Sequence, residues 1–209
     1  MIQLIIPLIV SSLLLPLNAP AHSGRLNSEG CHQDKRNNEL HCHGKEEKSN
    51  ASSRIYSREK FGSSWDDEDT DCQNTRHEFL IEKSLTPVTF KTNSNCIVSS
   101  GTWVSNFTGK LIYKASEIDI DHIVPLKWAW DRGAINWQKI KRVSFANDYK
   151  NLAISEKSLN RQKGARGITS WLPPNNKCEY LKRFIEVANA YALVIPSHSN
   201  EILRSECDN

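Results

Sequence analysis

The sequence predicts an α+β domain in which short strands alternate with helices, preceded by a small disulfide-rich N-terminal module. Three observations lead to that class. Apolar and polar residues alternate over short stretches such as Ile118-Asp119-Ile120-Asp121, which is the period of a half-buried strand. Elsewhere, above all after Cys178, apolar residues recur at i, i+3 and i+4, the period of a helix packed on one face. Six cysteines in 209 residues suit one domain with a small appendage held by disulfides.

Residues 1–21 carry no charge, are dominated by Ile, Leu and Val, and end in Ala19-Pro20-Ala21. This is the pattern of a signal peptide cleaved after Ala21, although the n-region lacks Lys and Arg. Pro7 and Pro16 interrupt the apolar run, which argues against a membrane span of about 20 residues. The mature chain is expected to be secreted or periplasmic, with no stable membrane association. An even cysteine count behind an export signal implies three disulfides. The expected pairing is sequential, Cys31–Cys42, Cys72–Cys96 and Cys178–Cys207, because each pair brackets one local unit.

Residues 22–48 form a Cys/His-rich module that holds four of the seven histidines. Two readings stand: a zinc site, or a hairpin closed by Cys31–Cys42 with surface histidines, the reading an exported chain favours. Residues 49–71 are polar, Ser-rich and acidic. Asp66-Asp67-Glu68-Asp69 with Asp71 suggests calcium ligation. With no Gly at the turn and no Glu at loop position 12, the segment reads as a flexible acidic linker.

The compact domain is expected from Cys72 to the C-terminus, residues 72–209. Residues 74–85 suit a helix capped by Asn74 and ended by Pro87, with Phe79, Leu80 and Ile81 in the core and His77 as a packing or surface group. Val88-Thr89-Phe90 and Cys96-Ile97-Val98 read as strands. Gly101-Thr102-Trp103 leads to a turn at Asn106–Gly109, and Leu111-Ile112-Tyr113 resumes a strand. Leu126 to Gly133 reads as a short helix, with Trp128 and Trp130 as packing groups. Residues 137–146 read as a basic helix and Asn151 to Ile154 as a strand. Ser155 is a plausible cap for a helix from Glu156 to Lys163 that Gly164 ends. Trp171-Leu172-Pro173-Pro174 is a rigid turn. After Cys178, Leu181, Phe184, Ile185, Ala188, Tyr191 and Ala192 mark a packing helix.

The chain is organised around Glu117-Ile118-Asp119-Ile120-Asp121-His122-Ile123-Val124-Pro125. Alternation marks a strand, and Pro125 stops its ladder. Asp121 and His122 therefore sit at a strand end, where adjacent side chains face opposite ways unless the turn re-aims them. A carboxylate beside an imidazole suits metal-assisted hydrolysis, in which one group holds a cation and the other takes a proton from water. Charge points the same way. Residues 73–209 carry 19 basic and 13 acidic side chains, and eight basic residues lie between Lys139 and Arg166. A basic segment after a hydrolytic motif favours a polyanionic substrate.

The ordered set Asp119-Ile120-Asp121-His122-Ile123-Val124-Pro125-Leu126, Trp128-Ala129-Trp130, Phe145-Ala146-Asn147-Asp148, Asn151-Leu152, Asn160-Arg161-Gln162-Lys163-Gly164 and Trp171-Leu172-Pro173-Pro174 resembles the HNH endonucleases. The resemblance is to exported bacterial HNH proteins similar to the nuclease domain of modification-dependent restriction enzymes. It covers roughly Cys72 to Leu193 and implies a ββα-metal core with additional helices. It also implies that His122 is the general base, that Asp121 and Asn160 hold a divalent cation, and that Asn151 holds the base-bearing loop by hydrogen bonds. The cation implied is magnesium, with manganese or calcium as alternatives. Arg161 and Lys163 would hold flanking phosphates. Asn160 stands where the third motif letter is usually histidine. No CxxC pairs flank the core, so the structural zinc of some relatives is not expected. Asp119 is either a second metal carboxylate or an outward-facing strand residue. The residues 22–48 resemble a Cys/His module of exported bacterial proteins.

These features imply an exported, metal-dependent endonuclease acting on DNA with little sequence specificity, with RNA also open. The rival is a catalytically inactive nucleic-acid or metal-binding protein on the same scaffold.

Overall fold

The computed structural model describes residues 31–33, 40–42 and 54–208. The chain divides into two units, Met1–Lys48 and Ser49–Asn209. In the first, β1 (Cys31–Gln33) and β2 (Leu40–Cys42) form an antiparallel hairpin with Cys31 opposite Cys42. The expected signal segment, the histidine side chains and the Cys31–Cys42 bond lie outside what is described.

The second unit mixes helices and sheets, as an α+β class requires. α1 (Thr75–Lys83) starts at Asn74, whose side chain accepts from the His77 amide. This satisfies one of the amides that a helix N-terminus leaves without a partner. β3 (Thr89–Phe90), β4 (Val98–Val104) and β5 (Leu111–Lys114) form an antiparallel sheet. The strand β4 runs on past Val98 through Gly101-Thr102-Trp103 and leads to the turn expected at Asn106–Gly109. Burial fixes this stretch: the Trp103 ring is fully enclosed and its Nε1 donates to the Leu80 carbonyl at 2.7 Å. Position 101 must be glycine, because a Cβ there would meet the Trp103 ring at 2.8 Å.

β6 (Ile118–His122) pairs antiparallel with β7 (Leu152–Glu156), setting Asp119 opposite Ser155 and Asp121 opposite Ala153. Between them lie α2 (Leu126–Asp131) and α3 (Lys139–Asn147), and α4 (Lys157–Lys163) follows β7 directly. Gly164 ends α4 with φ 53°. Ser155 does not cap this helix, contrary to expectation. It lies within β7, and its hydroxyl donates across the ribbon to the Asp119 carbonyl at 2.9 Å.

α5 (Lys177–Ala190) and α6 (Ser199–Cys207) close the chain. The disulfides Cys72–Cys96 and Cys178–Cys207 are both formed, as the sequential pairing predicts. Among the described residues no helix is long and apolar enough to cross a membrane.

The β6–β7 ribbon touches two apolar clusters. Ile118, Ile120, Leu152 and Ile154 join Phe79, Leu80 and Trp103 in one. Ala153 and the loop residues Ile123 and Val124 join Trp128, Phe145 and Phe184 in the other. Trp128 and Trp130 are both buried, the packing fate expected for them.

Residues 54–71 differ from the expected flexible linker. Phe61 is 1% exposed, and its ring lies 6.3 Å from Trp130 and 6.2 Å from Phe145. The Asp66 carbonyl accepts from the Thr75 amide at 2.7 Å, and the Asp66 amide donates to Asn147 Oδ1 at 3.1 Å. The polar average of the segment hides Tyr56, Phe61 and Trp65, and three aromatics are enough to anchor it. Phe61→Ala is therefore expected to destabilise the domain by about 3–5 kcal/mol in urea unfolding, whereas truncation within a free linker would leave stability unchanged.

Candidate active-site cleft

A cleft of about 530 Å³ is lined by Trp65, Arg76, Asp119, Asp121, His122 and Asn160, with Arg58 and Lys127 also on its wall. Strand β6 supplies the acids and the imidazole, and α4 supplies Asn160. A larger groove of about 710 Å³, lined by Phe79, Leu152, Ile154 and Arg183 among others, holds none of the residues expected at the site.

Strand alternation sends Asp121 and His122 to opposite faces of β6, and each meets a different partner. His122 is buried, and its Nε2 lies 2.8 Å from the Ala146 carbonyl oxygen. A carbonyl only accepts, so Nε2 carries the hydrogen and Nδ1 holds the free lone pair. Burial pulls the His122 pKa down to about 3; the Arg58 and Lys163 charges act in the same direction and the Ala146 carbonyl opposes them. The imidazole is therefore neutral near pH 7. Trp65 stacks on it, with centroids 5.3 Å apart and planes 14° from parallel.

Asp121 meets a buried cation. Its Oδ2 lies 2.7 Å from Lys163 Nζ, with the two side chains 7% and 0% exposed. The same ammonium donates to the His122 carbonyl at 2.6 Å. Burial pushes the Asp121 carboxyl up and the Lys163 ammonium down, and each charge opposes the other's shift. The expectation that Lys163 reaches a flanking phosphate is corrected here. The amphipathic position of Lys163 on a short helix turns it inward, where Asp121 neutralises it. Arg161, two residues earlier, is exposed.

Asn160 Nδ2 donates to Asp119 Oδ2 at 3.1 Å. Asp119 thus faces the cleft beside Asn160, which the sequence left undecided. Asn160 turns its amide nitrogen to this carboxylate, and Asp121 lies on the same wall.

Asn151 is fully buried and does not line the cleft. Its Oδ1 accepts from the Val124 amide at 2.8 Å, and its Nδ2 donates to the Val124 carbonyl at 3.3 Å and the Phe145 carbonyl at 3.4 Å. Its own carbonyl accepts from the Ile123 amide at 2.8 Å. One side chain thereby ties the loop after His122 to the helix that carries Ala146. Tyr180 on α5 adds a bond from its hydroxyl to the Ile123 carbonyl at 3.1 Å.

Sequence reasoning missed Arg58, Trp65 and Arg76. Arg76 is held by the Ala115 and Ile118 carbonyls, both at 3.0 Å. Arg58 lies over the Trp65 ring at 5.8 Å. The available signal was an aromatic and a guanidinium within an otherwise acidic, polar stretch.

Comparison with known proteins gives the family. Residues 57–204 match the model of the GmrSD restriction endonuclease C-terminal domain. A protein of Arthroderma benhamiae (strain ATCC MYA-4681 / CBS 112371), described as an uncharacterized secreted protein, is 37% identical over 155 residues, which are 72% of this chain and 73% of that protein. No solved structure matches the chain.

Two outcomes test the geometry. Lys163→Ala should cost about 3–5 kcal/mol, because it leaves Asp121 buried and unpaired. The double variant Asp121→Asn/Lys163→Met should recover much of that loss in a double-mutant cycle. His122 also makes stability depend on pH. Its folded pKa lies below the unfolded value of 6.5, so the unfolded state binds the extra proton and stability falls as pH drops below 6.5. The loss is about 1.5 kcal/mol between pH 6.5 and pH 5, and His122→Asn should flatten the profile by that amount.

Proposed function

The chain belongs to the family of GmrSD restriction endonuclease C-terminal domains, and from that premise we propose that it is an exported endonuclease that hydrolyses phosphodiester bonds in DNA, with a ββα-metal core of the HNH type. The observation that carries the reading is the geometry of His122: Nε2 is fixed on the Ala146 carbonyl, which leaves the Nδ1 lone pair free on a residue that lines the cleft.

In this reading, β6, β7 and α4 are the strand, strand and helix of the core. His122 Nδ1 takes the proton from an attacking water. Asn151 is a positioning residue that acts through the loop it ties. Asp119, Asp121 and Asn160 offer oxygen donors only, the set a hard divalent cation such as magnesium takes. A cation held there would stabilise the charge that develops on the phosphate and the leaving oxygen. Arg58, Arg76 and Lys127 on the cleft wall, with Arg161 outside it, suit the phosphates of a flanking strand. Phosphate contacts carry no base identity, which fits cleavage with little sequence preference. Export is supported by the two disulfides and by a relative described as secreted.

The test is plasmid nicking by the mature protein with magnesium, manganese or EDTA, beside His122→Ala. Metal-dependent nicking is expected, reduced about 10²–10⁴-fold in the variant, with DNA binding retained. DNA binding without cleavage under any metal would select the inactive scaffold instead. Cleavage that survives His122→Ala would remove His122 from the mechanism.

A further inference from the structure

The positive charge of this chain is concentrated in two places. Residues 54–62 and 126–143 carry eight basic and two acidic side chains, whereas the rest of the chain carries nineteen basic and twenty-two acidic. The excess falls on two segments far apart in sequence, and the first belongs to a stretch whose composition reads as an acidic linker.

The fold joins the two segments around one ring. Trp130 on α2 is 3% exposed, and its Nε1 donates to the Arg54 carbonyl at 3.2 Å. Lys60 Nζ lies 4.6 Å from the centroid of that ring, and the Arg142 guanidinium lies 5.7 Å from it. Arg142 Nε donates to the Lys60 carbonyl at 2.9 Å, and its Nη1 donates to the Trp137 carbonyl. Ring faces and backbone acceptors therefore fix these cations in place before any ligand arrives.

The face is continuous with the cleft. Tyr56 lines the cleft and meets Trp130 edge-on, with centroids 6.2 Å apart. Lys127, on the cleft wall, lies over Tyr56 at 5.9 Å. At the other end α3 sets the scale. A helix rise of about 1.5 Å per residue places Arg142 about 6 Å and Lys139 about 10 Å along the axis from Ala146, whose carbonyl holds His122. Phosphates of one DNA strand follow one another at about 3.4 Å along the duplex axis, so the face spans about three of them.

The chemistry of the face selects its partner. Trp130 is enclosed, and the rings that are only partly buried carry cations: Arg58 over Trp65 at 5.8 Å, Lys127 over Tyr56, and Lys141 over Trp137 at 4.6 Å. The face offers charge, with no bare ring on which unpaired bases would stack. Its acids are Glu59 and Asp131, and the Asp131 pair with Lys127 is solvent-exposed, so it contributes little.

We propose that this face is a track for double-stranded DNA, which holds the duplex by the phosphates on one side of the cleft. The proposal rests on the reading of the cleft as a DNA endonuclease site, and it adds the side from which the duplex is held and the residues that hold it. Contacts to phosphates are independent of base sequence.

The experiment is a salt series of fluorescence anisotropy, with a labelled duplex of about 30 base pairs titrated with the mature protein in EDTA. Lys139 and Lys141 are exposed, and Lys139→Gln/Lys141→Gln should lower the salt slope by about 2 and weaken binding at about 0.1 M salt by about tenfold or more. Lys110→Gln/Lys114→Gln removes the same charge from exposed positions at β5 and should leave the slope unchanged. Both variants should keep the wild-type Tm. Cleavage of bis(p-nitrophenyl) phosphate, too small to reach the track, should be equal in the wild type and in Lys139→Gln/Lys141→Gln. Three results would each overturn the proposal: no binding of the duplex, equal losses in the two variants, or tighter binding of the single strand of the same length. Duplex binding that falls only in Lys139→Gln/Lys141→Gln, with no cleavage under any metal, would uphold the track and remove the endonuclease reading. Cleavage by the wild type with equal losses in both variants would do the reverse.

Discussion

Lys163 is the fixed point of the cleft. Its ammonium is completely enclosed, 2.7 Å from Asp121 Oδ2 and 2.6 Å from the His122 carbonyl. An enclosed ammonium is tolerated only when its charge is paired and its hydrogens are used. That requirement sets the distance between α4 and the end of β6, and with it the position of Asn160 beside Asp119. Gly164 then ends the helix directly after Lys163, and Gly164 and Ala165 line the cleft beside Asn160.

The other face of β6 is governed by a different constraint. His122 is held by an acceptor at Nε2, a stacked ring and a pinned loop, and these come from three separate parts of the chain: Ala146 on α3, Trp65 ahead of α1, and Asn151 before β7. Each restricts a different freedom: the tautomer, the ring plane and the backbone that follows. Because adjacent strand residues face opposite ways, the acid and the base of one dipeptide acquire independent surroundings. One is an ion pair and the other a desolvated neutral ring. Such separation lets neighbouring groups hold different protonation states in one site.

The acidic segment 66–71 draws these strands together. It is bound to α3 through Asn147 and to α1 through Thr75. It carries Trp65 on one side and leads into Arg76 on the other. A segment whose composition reads as solvated linker is part of the wall of the site.

The sequence by itself determined whatever depends on local spacing. Alternation placed β6, the Asn74 cap placed α1, Gly164 closed α4, and cysteine order predicted Cys72–Cys96 and Cys178–Cys207. The D-H and N-R-x-K-G stretches marked the strand end and the helix that meet at the cleft. Local pattern works there because hydrogen bonding and burial within an element repeat with that element's own period. Only the tertiary structure decided which way a charged side chain turns. Lys163 looks like a phosphate contact until helix packing buries it against Asp121. Ser155 looks like a cap until the ribbon register gives its hydroxyl to Asp119. Residues 54–71 look like a linker until Phe61 finds Trp130 and Phe145. These outcomes rest on partners 36 to 84 positions away in the chain, and neither composition nor periodicity carries information about a partner at that range.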